Sequence, residues 1–178
     1  TSKPNRRRIW QHMPVPHQLQ METQTLTNRR FKLFPGDVLP ECDVAIYVDG
    51  NILIRADLSP LIEAFWNSGA DIALFPHPSG RTLENEIDFV LERTIPQEHA
   101  PLAEMQRQTY GELGILGQKI TENTIIFYRM SSPKVAQIGQ LWWHELKRYC
   151  KRDQISLPYV LNQLAPKVHY WDWHFHHP

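Results

Sequence analysis

Asp49, Gly50 and Asn51 form the segment of this sequence with the clearest capacity for chemistry. They follow the apolar run 44–48 and precede a second apolar run at 52–54. An unpaired carboxylate is costly to bury, so Asp49 at the end of a core strand needs a partner, and a hard cation such as Mg²⁺ or Mn²⁺ prefers oxygen ligands of this kind. In open α/β sheets, ligands gather at the carboxyl ends of strands. The pattern predicts that a metal ion and a phosphate meet here, with a plain Asp-Gly-Asn turn as the alternative.

A short basic run contains Arg29, Arg30 and Lys32. Arginine binds phosphate oxygens through paired hydrogen bonds, and lysine acts as a compact charge. The run therefore suits a diphosphate held beside a metal ion. A solvated turn explains the same residues equally well.

Asp153 and Gln154 stand where a helix is predicted to begin. A carboxylate is stabilised there by free backbone N–H groups, so capping alone explains Asp153. Together with Arg152, the adjacent carboxylate and amide also suit the recognition of a hydroxyl-rich ligand. Both interpretations stay open on spacing alone.

Histidines cluster at the carboxyl end of the chain. In an extended strand, His174 and His176 share one face, and two imidazoles on one face can bind a metal ion. A frayed chain end is the alternative. A further polar cluster contains His77, Arg81, Glu84 and Glu86. Helix-start signals explain its glutamates, so we assign the cluster no function.

The composition predicts a globular protein. The 178 residues are 42% hydrophobic and 21% charged, with a formal net charge of 0. This balance argues against a surface built for nucleic acid or for an anionic membrane. Cys42 and Cys150 make neither a disulfide framework nor a zinc motif, which favours a reducing compartment. No apolar run reaches the roughly 18 residues that span a bilayer.

Short apolar strands alternate with amphipathic helices, which predicts an α/β fold. Ser59 is the predicted N-cap of the second helix and Pro60 its first residue. Residues 1–28 are expected to form an irregular arm, with at most a short strand at 9–12, inside a single domain spanning 1–178. The predicted strands are 42–48, 71–75, 124–128 and 168–174, with an extended piece at 52–54, and the predicted helices are 28–34, 60–68, 83–93, 103–110, 133–151 and 153–163.

These segments together resemble a known family. The similarity is to the glycosyltransferase-like domain family of bacteria and of plant mucilage- and turgor-related proteins, and it runs from about Trp10 to about Leu164. Its most specific parts are Tyr-Val-Asp-Gly-Asn at 47–51 and Arg-Asp-Gln-Ile-Ser at 152–156. Weaker parts are the basic run at 29–32, the segment 77–81 with Glu86, Tyr110 with Gly114, the segment 143–145, and Tyr159.

The resemblance implies a GT-A-type fold, which is a single Rossmann-like α/β domain with a mixed sheet flanked by helices. It implies that Asp49 and Asn51 occupy the place of an Asp-x-Asp metal motif, with an amide replacing the second carboxylate. His174 or His176 would then be a further metal ligand. GT-A domains open with a strand and a glycine-containing loop that hold the nucleobase and ribose. No such strand precedes Arg6, so we expect an amino-terminally truncated member.

The expected function is Mn²⁺- or Mg²⁺-dependent transfer of a sugar from a nucleoside-diphosphate sugar to a hydroxyl of a glycan acceptor. The ion and the basic run would offset charge on the leaving diphosphate. Asp153 and Gln154 would face the donor sugar or the acceptor hydroxyls, with Asp153 positioning the sugar or acting as a base. A metal-dependent hydrolase using Asp49 and the last histidines, and a non-catalytic carbohydrate-binding module, are the alternatives. The expected location is the bacterial cytoplasm, or the Golgi lumen in a eukaryote.

Overall fold

The computed structural model describes residues 13–93 and 100–172. This part of the chain forms helices and strands in alternation, with short 3₁₀ turns at His17–Leu19 and Pro35–Asp37. The α-helices are α1 (Gln24–Leu33), α2 (Ser59–Ser68), α3 (Leu83–Arg93), α4 (Ala100–Glu112), α5 (Pro133–Arg148) and α6 (Asp153–Leu164). The strands are β1 (Val44–Val48), β2 (Ile72–Pro76), β3 (Thr121–Arg129) and β4 (Val168–Tyr170).

The strands form one mixed sheet in the order β1, β3, β2, β4. β3 runs antiparallel to β1 and to β2, and β4 runs parallel to β2. β1, β2 and β4 therefore all end at the same edge, which we call the carboxyl edge. The amino end of β3 lies there too, and a register shift between Ala73 and Phe75 marks an irregularity in the β2–β3 pairing.

Helices cover both faces of this sheet. On one face, α1, α5 and α6 pack against Ala45, Ile126 and Tyr128. On the other face, Phe65 of α2 packs against Phe127, with ring centroids 5.8 Å apart. A further cluster joins α3 and α4 to α6. A mixed sheet with helices on both faces confirms the predicted α/β fold.

An apolar stripe attaches α5 to the sheet. Val135, Ile138, Trp142 and Leu146 recur every three or four residues and are all buried. This spacing places them on one face of the helix. Burial of each such side chain contributes about 1.5–3 kcal/mol, so the stripe accounts for much of the stability of this layer.

Some element boundaries differ from the predictions. α1 begins at Gln24 rather than at 28, because the hydroxyl of Thr23 accepts a hydrogen bond from the N–H of Leu26 and caps the helix. The irregular arm predicted for 1–28 therefore does not extend through this helix. The short strand predicted at 9–12 lies outside the described residues.

The start of α2 also differs. Leu58 holds the cap position, Ser59 is already helical, and the carboxylate of Asp57 accepts hydrogen bonds from the N–H and hydroxyl of Ser59. The helix ends at Ser68, as predicted, and Gly69 follows it in the left-handed conformation. The piece at 52–54 has no regular secondary structure. β3 is longer than predicted. The predicted strand 168–174 ends at Tyr170: Trp171 and Asp172 are not in a strand, and 173–174 lie outside the described residues.

α1 and α5 approach each other closely at Gly139. A Cβ atom there would lie 2.4 Å from the carbonyl oxygen of Leu33 and 3.2 Å from the ring of Phe34. We expect Gly139→Ala to lower the free energy of unfolding by about 1–3 kcal/mol, although alanine favours a helix by about 1 kcal/mol. Urea unfolding measures the change. Gly117→Ala, where an added Cβ meets nothing within 4 Å, is the control, and equal losses in both variants would contradict the steric explanation.

Candidate active site at the carboxyl edge

Polar groups from separate parts of the chain meet at the carboxyl edge. Asp49 follows β1, and its N–H donates to the carbonyl of Thr124 at 2.8 Å. His77 follows β2 in the same way. The side-chain amide of Gln154, at the start of α6, donates to the carbonyl of Thr121 at 3.3 Å. The ends of three strands and the beginning of one helix therefore converge.

Asp153 is the buried anionic centre of this region. It is the first residue of α6 and is 3% exposed. Its carboxylate accepts a hydrogen bond from Nζ of Lys32 at 2.5 Å and pairs with Nη2 of Arg29 at 3.0 Å. Both cations lie on one side of α1, because residues three apart are neighbours on a helix. The indole N–H of Trp142 also donates to the main-chain carbonyl of Asp153, at 3.2 Å.

The two cations outweigh the effect of burial on Asp153. Burial alone raises the pKa of this carboxyl. The charges of Lys32 and Arg29 lower the pKa by more than burial raises it, so the net shift is downward. Lys32 is itself 1% exposed, and leaving either buried charge without its partner would be costly. Asp153 is therefore ionised and paired with Lys32 and Arg29, so it is poorly suited to accept a proton from a ligand.

Tyr47 links these buried charges to Asp49. Its hydroxyl lies 2.6 Å from Oδ1 of Asp49 and 2.8 Å from the amide oxygen Oδ1 of Asn28, and Nζ of Lys32 lies 5.1 Å from its ring centroid. Both neighbours are acceptor oxygens, and a phenol has one hydrogen; donation to a carboxylate is the stronger bond, so Tyr47 donates to Oδ1 of Asp49. Burial and then the bond to Asp49 raise the pKa of Tyr47, so the phenol keeps its proton.

Asn51, the second predicted metal ligand, lies on the other side of β1 from this cluster. Asp49 bonds to Tyr47 on the face covered by α1. Asn51 is exposed and lines a cavity of about 420 Å³ together with Val48 and Leu61, on the face covered by α2. The described residues contain no group of three or more His, Cys, Asp or Glu side chains that could hold a metal ion.

The predicted metal ligands His174 and His176 lie outside the described residues, so their role stays a prediction. β4, the strand that precedes them in the sequence, ends at the carboxyl edge.

The predicted basic run divides between two sites. Arg29 and Lys32 join the carboxyl edge through Asp153. Arg30 pairs instead with Asp37 at 2.6 Å and lies 4.5 Å from the ring centroid of Phe34. Adjacent residues of a helix do not face the same neighbour, which explains the separation.

The predicted sugar contacts, Asp153 and Gln154, use their polar atoms within the protein. Asp153 holds two cations, and Gln154, 6% exposed, connects α6 to the beginning of β3. These bonds hold the start of α6 against α1 and against the beginning of β3. Contact of either side chain with a donor or acceptor stays a prediction.

Several groups at this edge received no role from the sequence. Tyr47 and Glu122 are among them, and His77 belongs to the polar cluster to which the sequence assigns no function. His77 lies 3.9 Å from Glu122, and its Nδ1 is 2.9 Å from the hydroxyl of Ser79. Burial lowers the pKa of His77, against the opposing effect of Glu122, so the imidazole is neutral at pH 7. Its position two residues after the predicted strand 71–75 is the available signal.

A family model described as TOD1/MUCI70, glycosyltransferase-like domain, matches residues 2–176. The chain belongs to this family. The match confirms the resemblance inferred from the motifs and supports a glycosyltransferase-type function for the TOD1/MUCI70 domain. Comparisons with curated proteins and with solved structures found no match. Within the described ranges, the TOD1/MUCI70 domain has no helix whose length and apolarity would let it cross a membrane.

The buried ion pairs of the TOD1/MUCI70 domain can be tested by stability measurements. We expect Asp153→Asn to lower the free energy of unfolding by about 3–5 kcal/mol, because the substitution leaves Lys32 buried without a counter-charge. Urea unfolding at pH 7 measures the loss. Asp37→Asn breaks the partly exposed pair with Arg30 and should cost less than about 1 kcal/mol. Similar losses in both variants would contradict the assignment.

The pH dependence of stability provides a second test. Because the pKa of Asp153 is lower in the folded chain, its stabilisation is complete above the ordinary carboxyl pKa of about 3.9 and is lost as the pH falls below that value. We expect the stability of Asp153→Asn to depend less steeply on pH between about 4 and 2. An unchanged slope in acid unfolding curves would exclude this contribution.

Proposed function

We propose that this domain transfers a sugar from a nucleoside-diphosphate sugar to a hydroxyl of a glycan, with the aid of Mn²⁺ or Mg²⁺. Membership of a glycosyltransferase-like family supports the reaction class. The observation that carries the proposal is the location of Asp49 at the carboxyl end of β1, with Tyr47 bound to one of its oxygens and Arg29 on the helix above. A carboxylate next to cations at this edge suits a ligand that combines a metal ion with phosphates.

Asp49 fits a divalent ion that is shared with substrate. Mg²⁺ is commonly held by one or two carboxylates, while water and substrate phosphates complete its coordination. Tyr47 binds Oδ1 of Asp49, so we assign Oδ2 to the ion. His174 and His176 are the proposed additional ligands, and Asn51 is left out because it lies on the other side of β1. When bound, the ion would supply positive charge opposite the leaving diphosphate.

Arg29 is the proposed contact with the diphosphate. One of its nitrogens pairs with Asp153, while its Nε is buried and has no hydrogen-bond partner among the described residues. A buried donor without a partner is uncommon in folded proteins, and a phosphate oxygen would satisfy it. Lys32 is too buried to touch a ligand directly, so we propose that it acts by holding Asp153, which in turn orients Arg29.

In the proposed reaction, the bond between the anomeric carbon and the diphosphate oxygen breaks and a bond to the acceptor oxygen forms. The acceptor hydroxyl gives its proton to water, and the diphosphate leaves with the electron pair of the broken bond. The surplus negative charge develops on the diphosphate, where Arg29 would oppose it. Asp153 and Gln154 are proposed as positioning residues that keep the start of α6 against α1 and β3.

Calorimetric titration with a nucleoside diphosphate and Mn²⁺ tests the proposal. We expect binding that requires the metal and that weakens at least about tenfold in Asp49→Asn, because the ion loses a charged ligand. Asp43→Asn is the matched control, since Asp43 is an exposed carboxylate before the opposite end of β1. Nucleotide binding that is unaffected by a chelator, or equal in Asp49→Asn and wild type, would refute the proposal.

The same samples separate the alternative functions. Turnover of a substrate in the absence of nucleotide would indicate a hydrolase. Sugar binding that ignores both nucleotide and chelator would indicate a carbohydrate-binding module.

Gly50 provides a test of close ligand approach. An added Cβ there meets nothing within 4 Å, and its φ lies outside the left-handed region, so packing of the described chain does not require glycine. We expect Gly50→Ala to change the free energy of unfolding by less than about 0.5 kcal/mol and to weaken Mn²⁺-dependent nucleotide binding, because the methyl group obstructs a phosphate near the backbone. Gly36→Ala, at the opposite edge of the sheet beside Met130, should bind nucleotide normally. Unchanged affinity in Gly50→Ala would exclude this approach.

A further inference from the structure

Arg81 and Arg152 share the carboxylate of Glu86, which lies in the first turn of α3 and is 0% exposed. Nη1 of Arg81 is 3.0 Å from Oε2 of Glu86. Nε and Nη2 of Arg152 are 3.0 and 2.9 Å from Oε1. The arginine side chains remain 31% and 35% exposed. We call Arg81 and Arg152 the arginine pair.

The arginine pair carries more positive charge than Glu86 neutralises. One bidentate arginine is enough to balance a buried carboxylate, so the second cation is surplus. The reverse arrangement occurs at Arg107, whose guanidinium contacts the two carboxylates of Asp88 and Glu104. Two cations on one carboxylate therefore occur at Glu86 and at Asp153, but not at every ion pair of the described residues.

Both arginines have N–H donors that do not bind Glu86. Arg81 uses Nη1, which leaves Nε and Nη2, and its guanidinium lies 4.2 Å from the ring centroid of Phe89. Arg152 uses Nε and Nη2, which leaves Nη1. Among the described residues, neither arginine is ion-paired with a second carboxylate. Stacking on an aromatic ring and a fixed carboxylate partner hold guanidinium groups in place, which prepares them to bind a ligand.

The arginine pair lies at the carboxyl edge, beside the candidate active site. Arg81 belongs to the loop after β2, and Arg152 directly precedes Asp153. Both arginines lower the pKa of His77, and Arg152 lowers that of Asp153, so these groups lie within electrostatic range of one another. Glu122, next to His77, is an acidic group on the same side.

We propose that the arginine pair is a subsite for an oxyanion group of the substrate, either a phosphate or a carboxylate. Planar guanidinium groups bind both through paired charge-assisted hydrogen bonds. The inference rests on the proposed sugar transfer and makes its substrate more specific. The anion is the donor's diphosphate if it is a phosphate, and an acidic sugar if it is a carboxylate.

Two titrations of the 178-residue chain distinguish these sources. One uses a nucleoside diphosphate with Mn²⁺. The other uses a uronic-acid oligosaccharide, with a neutral oligosaccharide of equal length for comparison, and contains neither metal nor nucleotide. We expect Arg81→Gln and Arg152→Gln each to weaken binding of one anionic ligand about tenfold, with a smaller difference at high salt. Loss confined to the first titration identifies a phosphate, and loss confined to the second identifies a carboxylate.

Matched variants separate recognition from stability. Each glutamine variant leaves one arginine on Glu86, and thermal unfolding verifies the fold. Arg81→Lys and Arg152→Lys keep the charge and serve if a glutamine variant does not fold; they should weaken binding because lysine cannot form the paired bonds. Arg107→Gln should bind like wild type.

Three results would overturn the inference. They are wild-type affinity in folded variants of both arginines, an equal loss of affinity in Arg107→Gln, and no binding of either anionic ligand to the wild-type protein. The oligosaccharide titration does not depend on Asp49, metal or nucleotide. Failure of the proposed metal-dependent transfer is therefore distinguishable from failure of this subsite.

Discussion

The buried carboxylate of Asp153 is the constraint on which the carboxyl edge depends. At 3% exposure it requires counter-charges, and Lys32 and Arg29 provide them from α1. This requirement places α1 against the start of α6. It also places Lys32 over the ring of Tyr47, whose hydroxyl holds Asp49. A single desolvated charge thus determines the geometry from the beginning of one helix to the end of a strand.

The same physical rule operates at other buried acids. Glu86 is matched by two arginines, and Glu145, 2% exposed, accepts a hydrogen bond from the hydroxyl of Tyr110 at 2.6 Å. Such groups are not an efficient means of stabilisation, since replacing a buried ion pair with apolar residues is often neutral or favourable. At Asp153 and Glu86 the charged partners come from helices and loops that meet at the carboxyl edge. Their cost is easier to understand if they orient groups for a ligand than if they serve stability alone.

Local signals in the sequence predicted the fold class, and long-range pairing limited the prediction of the site. α3 is observed at its predicted bounds, Leu83–Arg93, because its apolar period and end signals are local. The polar turn after β1 was likewise recognised as following a strand. The pairing of Lys32 with Asp153 joins residues 121 positions apart, and no local pattern encodes it. The sequence does not reveal the true start of α1, so it predicts a single cluster of Arg29, Arg30 and Lys32. Helical geometry separates Arg30 from the other two.

Burial and charge balance distinguish the cations that hold the carboxyl edge together from the cations that are able to bind an anionic ligand. Lys32 is enclosed and its charge is matched by Asp153. Arg29, Arg81 and Arg152 remain partly exposed, with guanidinium donors beyond those that contact the buried acids. Because Arg29 and Arg152 flank Asp153 and Arg81 reaches the same side from the loop after β2, positive charge continues along the edge from α1 to α3. A substrate with more than one anionic group would complement that distribution better than a neutral sugar, since one anion cannot neutralise both ends of the row.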